Sequence, residues 1–159
     1  MARGVVYFGH GETDRWRNGI LPIVKLSQAS VFRGATIVYS MACESLSEFG
    51  RAVVSAGARA YIGNSEPVFG TAITKGINPA RGFKAIWMNE VLNLVRGVDV
   101  ENAVAFARQQ WVEYAAMLGA AGEDPLVVAM ARWNAAHHGY VGDGNARLPP
   151  QDFGVEVVD

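Results

Sequence analysis

Three short apolar runs constrain the fold of this chain more than any other feature of its sequence. They span residues 4–8, 35–40 and 58–62, and each has apolar residues at neighbouring positions. Runs of this kind are typical of parallel strands whose two faces are both covered. The segments between them are long enough for the crossover connections that parallel strands require. The sequence therefore predicts a three-layer α/β fold, in which helices flank a mainly parallel central sheet.

The segment between the second and third runs has the pattern of a helix. Ser45 and Glu48 form an S-x-x-E capping box, and Gly57 stands where a helix stop is expected. The C-terminal half is mostly helical, since its apolar stripes lie between residues that commonly start and end helices. We expect helices from Asn78-Pro79 to Gly97, from Asp99 to Gly119 and from Asp124-Pro125 to about His138, then a short strand at residues 145–148 and a weakly alternating tail at 153–158.

Two long segments, residues 11–34 and 63–79, are predicted to be loops. The first has at most a short helical turn near Leu26, and the second is rich in Gly, Ser, Asn and Pro. Long loops in a small domain are often binding loops. Because each follows a predicted strand, we expect both at the carboxyl edge of the sheet, where open α/β proteins place their sites.

Composition limits the classes of function open to the chain. Its 159 residues fit one domain, and its 14 basic and 15 acidic residues give a net charge of −1. With this balance the chain has no overall positive electrostatic field that would attract nucleic acid or a membrane surface. The single cysteine excludes an intramolecular disulfide and a cysteine-rich zinc site.

His137 and His138 point in different directions on a helix, so we expect no metal, and no cofactor is expected either. No targeting or membrane-spanning segment is evident, and the default location is cytoplasmic.

Two of the predicted strands end in residues that can carry out nucleophilic catalysis. The first runs into His10-Gly11, and the second runs into Ala42-Cys43. If these strands are parallel neighbours, the imidazole and the thiol emerge at one edge of the sheet. An imidazole beside a thiol is the smallest set of side chains that can activate a cysteine as a nucleophile. The glycine N–H can donate to a developing oxyanion, and a helix that starts just after Cys43 would stabilise the thiolate. The alternative is that Cys43 is a small buried side chain, as most lone cysteines are.

The ordered His-Gly and Ala-Cys motifs, each after a strand, resemble those of caspase-like (clan CD) cysteine peptidases. Three further features are more similar to the gingipain and CHAT-type branch of that group. They are Trp16 after the His-Gly motif, residues 57–63 after the helix that follows Ala42-Cys43-Glu44-Ser45, and residues 142–148, which look like a Gly-Asp-Pro-x-Leu-x-Leu closing segment. The resemblance spans nearly the whole chain.

This resemblance implies a cysteine peptidase that acts on a peptide or protein substrate. His10 is then the base and acid, Cys43 is the nucleophile, and the N–H groups of Gly11 and Cys43 form the oxyanion hole. Such domains usually have two more strands before the His-bearing one, and this chain begins at that strand. A second hypothesis is therefore a catalytically silent module that pairs with a partner. We expect such pairing, as a homodimer for example, across the sheet edge at the first strand.

Five residues around the dyad are candidates for binding substrate. The resemblance implies that Asn64, Ser65 and Glu66 lie near the specificity pocket, where Glu66 would favour a basic residue on the amino side of the scissile bond. The alternative for these three is an ordinary solvated loop. Glu44 either shapes the substrate site or complements the dipole of the following helix. Trp16 either forms a lid beside the histidine or covers the core.

Overall fold

The computed structural model describes residues 3–70 and 79–150. Its strands are β1 (Gly4–Phe8), β2 (His10–Glu12), β3 (Arg15–Asn18), β4 (Leu21–Lys25), β5 (Ile37–Met41), β6 (Ala60–Asn64) and β7 (His138–Gly142). Its helices are a 3₁₀ helix (Leu26–Phe32), α1 (Glu48–Ser55), α2 (Pro79–Val95), α3 (Val100–Ala120) and α4 (Pro125–His137). The expected helix start at Asn78 and the tail at 153–158 lie outside the described residues.

The central sheet has four strands in the order β1-β5-β6-β7. The first three are parallel, and β7 is antiparallel to β6. The prediction of an α/β fold with a mainly parallel sheet is therefore confirmed. The strand predicted at residues 145–148 is wrong, because the chain leaves α4 at His137 and enters β7 at once. Residues 138–142 pair with residues 60–64 instead.

Both faces of the central sheet are covered, which explains the apolar runs. Val38 and Tyr61 belong to a cluster that includes Phe49 of α1. On the opposite face, Tyr39 belongs to a cluster that includes Leu94 of α2. Successive side chains of a strand point to opposite faces, so a strand covered on both sides has apolar residues at neighbouring positions. The helices α2, α3 and α4 pack together on the second of these faces.

The prediction of a long loop with at most a helical turn at residues 11–34 is wrong. This segment forms a second, antiparallel sheet of β2, β3 and β4, followed by the 3₁₀ helix. The β3–β4 hairpin closes through a two-residue loop between Asn18 and Leu21, and Gly19 in that loop has a φ of 57°. Two-residue hairpin loops favour glycine at their first position where that position requires a positive φ. The sequence therefore contained the information for this hairpin.

The helices α2, α3 and α4 confirm the helical prediction for the C-terminal half. Asp99 caps α3 as expected, and its Oδ1 accepts the Asn102 N–H at 2.9 Å. The hydrogen bonds from Asn102, together with the charge of Arg147, lower the pKa of Asp99. Asp124 caps α4 by accepting the Leu126 N–H at 2.8 Å. In the described part of the chain, no helix is long and apolar enough to cross a membrane.

Candidate active site

The carboxyl ends of β1 and β5 meet at one edge of the central sheet. The two strands are parallel neighbours with Phe8 aligned to Met41, and the Gly9 N–H donates to the Met41 carbonyl at 3.3 Å. His10 follows directly after this contact, and Cys43 follows the end of β5. The structure thus brings the imidazole-bearing segment and the thiol-bearing turn to the same edge.

The backbone of Gly11 lies directly against the turn that carries Cys43. Gly11 is buried, and a Cβ atom there would lie 2.5 Å from the Cys43 carbonyl oxygen and 2.7 Å from the Ala42 Cβ. Neither of these atoms is the end of a flexible side chain, so a larger residue would push the two segments apart. An oxyanion hole made of N–H groups from both segments requires such a close approach.

A second contact ties the histidine segment to the start of α1. The Thr13 carbonyl, in the turn between β2 and β3, accepts the Phe49 N–H at 2.8 Å. The helix begins at Glu48 and not directly after Cys43, so the capping box predicted at Ser45 is wrong. The first N–H groups of a helix need acceptors from outside it, and here one acceptor comes from a distant segment that the local pattern could not reveal.

Ser45 anchors the turn that carries Cys43 instead of capping α1. Its side chain is fully buried, and its hydroxyl donates to the Ala42 carbonyl at 3.1 Å. The same hydroxyl lies 3.3 Å from the hydroxyl of Ser40 in β5. Because Ala42 directly precedes Cys43, these contacts fix the turn to the end of its own strand.

Trp16 and Tyr7 support the histidine segment from the core. Trp16 is 3% exposed, and its indole N–H donates to the Tyr61 hydroxyl at 3.0 Å. Burial raises the pKa of Tyr61 to about 12, so this hydroxyl stays protonated. The Tyr7 ring stacks on Trp16, and its hydroxyl lies 2.7 Å from the Arg17 carbonyl and 3.0 Å from the His10 carbonyl. Of the two roles expected for Trp16, the structure favours core packing over a lid.

The His10 side chain is exposed beside a group of charged residues. His10 is aligned with Arg17 in the β2–β3 pair, and the Glu12 carboxylate bridges Arg15 and Arg17 at 3.0 Å each. Among the described residues, the hydrogen bond to the Cys43 sulfur comes from a backbone N–H and not from the imidazole. Catalytic hydrogen bonds are often open until a substrate binds.

The Cys43 thiol is half-buried beneath residues 65–70. Its Sγ accepts the Val68 N–H at 3.3 Å, and the neighbouring Glu44 N–H donates to the Glu66 carbonyl at 3.2 Å. Glu44 has a φ of 53°, in the left-handed region, and such a conformation costs a non-glycine residue about 1–3 kcal/mol. Strain of this size persists where surrounding contacts hold it, and it is common at active sites.

The five candidate substrate-binding residues lie in different environments. Ser65 is exposed, and Glu44 and Glu66 are half-buried at the turn that carries Cys43. Glu44 lies before the first turn of α1, so it is not one of the acids of that turn. Asn64 and Trp16 are each 3% exposed. The side chains of these last two support the site from inside and do not form its surface.

A polar cluster that the sequence did not predict lies in the core beside Asn64. Glu90 of α2 is fully buried, accepts the Tyr39 hydroxyl at 3.1 Å and lies 2.8 Å from His138 Nε2. His138 Nδ1 lies 3.1 Å from Asn64 Oδ1. One signal was present in the sequence, because Glu90 falls on the apolar stripe of α2. A carboxylate on such a stripe needs a buried partner.

The adjacent histidines His137 and His138 separate at the end of α4, as expected. The His137 ring packs on Trp133 with centroids 4.2 Å apart, whereas His138 is buried against Glu90. Across residues 3–70 and 79–150, no group of three or more His, Cys, Asp or Glu side chains is placed to hold a metal ion.

Comparisons with protein-family models, with curated proteins and with solved structures give no match. The features that bear on function are therefore those of the sheet edge where the His10-Gly11 segment contacts the turn that carries Cys43.

Proposed function

We propose that this chain is a cysteine peptidase that hydrolyses peptide bonds with His10 and Cys43. The observation that carries the proposal is the packing of the Gly11 backbone against the Cys43 turn, where β1 and β5 end together. A His-Gly segment and a nucleophile turn in backbone contact can act on one substrate carbonyl. The resemblance of both motifs to those of caspase-like and gingipain-like peptidases supports the same function.

The proposed reaction begins when His10 takes the proton of the Cys43 thiol. The sulfur attacks the carbonyl carbon of the scissile bond, and the N–H groups of Gly11 and Cys43 donate to the oxyanion. His10 then gives its proton to the leaving amine, the C–N bond breaks and a thioester remains. His10 next takes a proton from water, which attacks the thioester. The carboxylic acid product leaves as the sulfur regains its proton.

The acidic side chains next to the nucleophile turn suggest which substrates fit. Glu44 and Glu66 are half-buried there, and no ion pair joins either of them to a described residue. Negative charge beside the reacting group favours a cationic substrate group. We therefore propose a preference for Lys or Arg on the amino side of the scissile bond.

A library of peptides with basic, acidic and apolar residues at that position tests the function. We expect cleavage after Lys or Arg by the purified chain and none by Cys43→Ala. His10→Ala should cut kcat by about 10²–10⁴-fold, the usual contribution of a general acid–base. Cleavage that survives Cys43→Ala, or a folded wild-type chain that cleaves no peptide, would contradict the proposal.

A second candidate function is the silent module that pairs through the edge of the central sheet. Within the described residues, β1 pairs with β5 alone, and Val6 and Phe8 on β1 are 48% and 44% exposed. An apolar hollow of about 390 Å³ adjoins Phe8 and is lined also by Met41 and Trp87. Pairing of two β1 strands would cover this edge. Light scattering at high concentration should then give the mass of a dimer, and the mass of a monomer counts against this candidate.

A further inference from the structure

Residues 65–70 form a segment that lies over the Cys43 thiol, and we call this segment the strap. The Val68 N–H donates to the Cys43 sulfur at 3.3 Å, and the Glu66 carbonyl accepts the Glu44 N–H at 3.2 Å. The strap is thus bonded to the thiol itself and to the residue that follows it. The Val68 N–H therefore occupies one side of the sulfur, and a carbonyl carbon that approaches from that side needs the same space.

Helix α4 holds the strap in this position. Asn134 is 3% exposed, its Oδ1 accepts the Phe69 N–H at 3.1 Å, and its Nδ2 donates to the Phe69 carbonyl at 2.9 Å. The Trp133 indole N–H donates to the Pro67 carbonyl at 3.0 Å. Asn134 therefore satisfies both backbone groups of one strap residue, as a neighbouring strand would.

The peptide group between Pro67 and Val68 lies at the sulfur in an orientation that does not permit attack. Its N–H points at the Cys43 sulfur, and its carbonyl oxygen is held by Trp133. In a productive complex, the carbonyl oxygen of the attacked bond accepts from the N–H groups of the oxyanion hole, including that of Gly11. The strap thus takes the place of a substrate without presenting a bond that can be cleaved.

We propose that the strap blocks Cys43 in the resting protein and that Asn134 is the latch that keeps it closed. This inference rests on the proposed function, because it treats Cys43 as the residue that must reach a substrate. The closed and open arrangements form an equilibrium, and a peptide that binds only the open form draws the strap away. Loss of the latch has the same effect without a peptide.

The test is the rate at which Cys43 reacts at pH 7 with iodoacetamide and with a bulky polyethylene-glycol maleimide. We expect Asn134→Ala to raise the maleimide rate by at least about tenfold, because two hydrogen bonds to Phe69 are lost. The smaller reagent should gain less. Trp133→Phe removes the hydrogen bond to Pro67 but keeps an aromatic ring beside Phe69 and His137, and it should act more weakly in the same direction. Rates at or below the wild-type rate in both variants would overturn the proposal.

Two controls separate strap opening from other causes. Asn102→Ala on α3 removes a side-chain hydrogen bond to Asp99, and its labelling rates should stay at the wild-type level. An equal acceleration in Asn102→Ala and Asn134→Ala, at equal losses of unfolding free energy, would overturn the latch. The acceleration by Asn134→Ala should persist in a His10→Ala background even if no peptide is hydrolysed. The failure of the strap and the failure of the peptidase are therefore distinguishable.

Discussion

Gly11→Ala is expected to lower kcat/KM for peptide hydrolysis by at least about 100-fold, because a shift of about 1 Å at a reacting site can cost that much. The added Cβ would lie 2.5 Å from the Cys43 carbonyl oxygen, so the His-Gly segment must move away from the nucleophile turn. Overpacking of this kind costs about 1–3 kcal/mol of stability, so the fold should survive. Hydrolysis of the best library peptide and urea unfolding measure the two effects.

Gly119→Ala is the matched control for this substitution. Gly119 lies in α3, and a Cβ atom there would meet no atom within 4 Å. Alanine also favours a helix over glycine, so we expect full activity and a slightly higher free energy of unfolding. Wild-type activity in Gly11→Ala would show that the close approach to Cys43 is not needed.

Glu90→Ala is expected to lower the free energy of unfolding by about 3–5 kcal/mol, because it leaves two buried polar groups without their partner, at about 1–3 kcal/mol each, and opens a cavity in the core. The carboxylate is fully buried and bonds to both Tyr39 and His138. Burial and the nearby charge of Glu90 raise the pKa of Tyr39, so its hydroxyl stays protonated and would be left without its acceptor. Urea unfolding followed by circular dichroism measures the loss.

Two further variants give the comparison for the loss expected in Glu90→Ala. Glu90→Gln keeps an oxygen that can accept from Tyr39, so its loss should be smaller than that of Glu90→Ala. Glu113→Ala removes an exposed carboxylate that bonds to Gln109 within α3, and surface changes of this kind usually stay within about 0.5 kcal/mol. A loss in Glu90→Ala as small as that of Glu113→Ala would show that the buried cluster contributes nothing measurable.

The elements that the sequence predicted correctly have signals that are local and repeated. Strand β1 and the long helices were evident because apolar runs and apolar stripes extend over several turns or pleats, with helix-starting residues such as Asp99 and Asp124 at their ends. The second sheet was missed because β2 and β3 have only three and four residues and are largely polar. The antiparallel strand β7 was missed because it begins where the helix pattern ends, at His138.

The candidate site also has features that local sequence patterns predict and features that they do not. The position of the His10-bearing segment and the Cys43-bearing turn at one edge could be predicted, because parallel neighbouring strands end together. The role of Ser45 could not be predicted, since its hydrogen-bond partners are fixed by the path of the turn and not by helix spacing. The contacts of Asn134 could not be predicted either, because its two hydrogen bonds are made with a loop that is distant in sequence. Tertiary contacts of this kind override local patterns.

The most direct test of the central claim is the rate of Cys43 alkylation by iodoacetamide at pH 7, compared between Asn134→Ala and the double variant with His10→Ala. Because the strap is open in both proteins, a difference in access to Cys43 cannot account for a difference between their rates. A free cysteine at pH 7 is only a few per cent thiolate, so a histidine that activates the thiol should raise the rate by about tenfold or more. The account predicts a loss of that size on removing His10. Equal rates in the two proteins would contradict it.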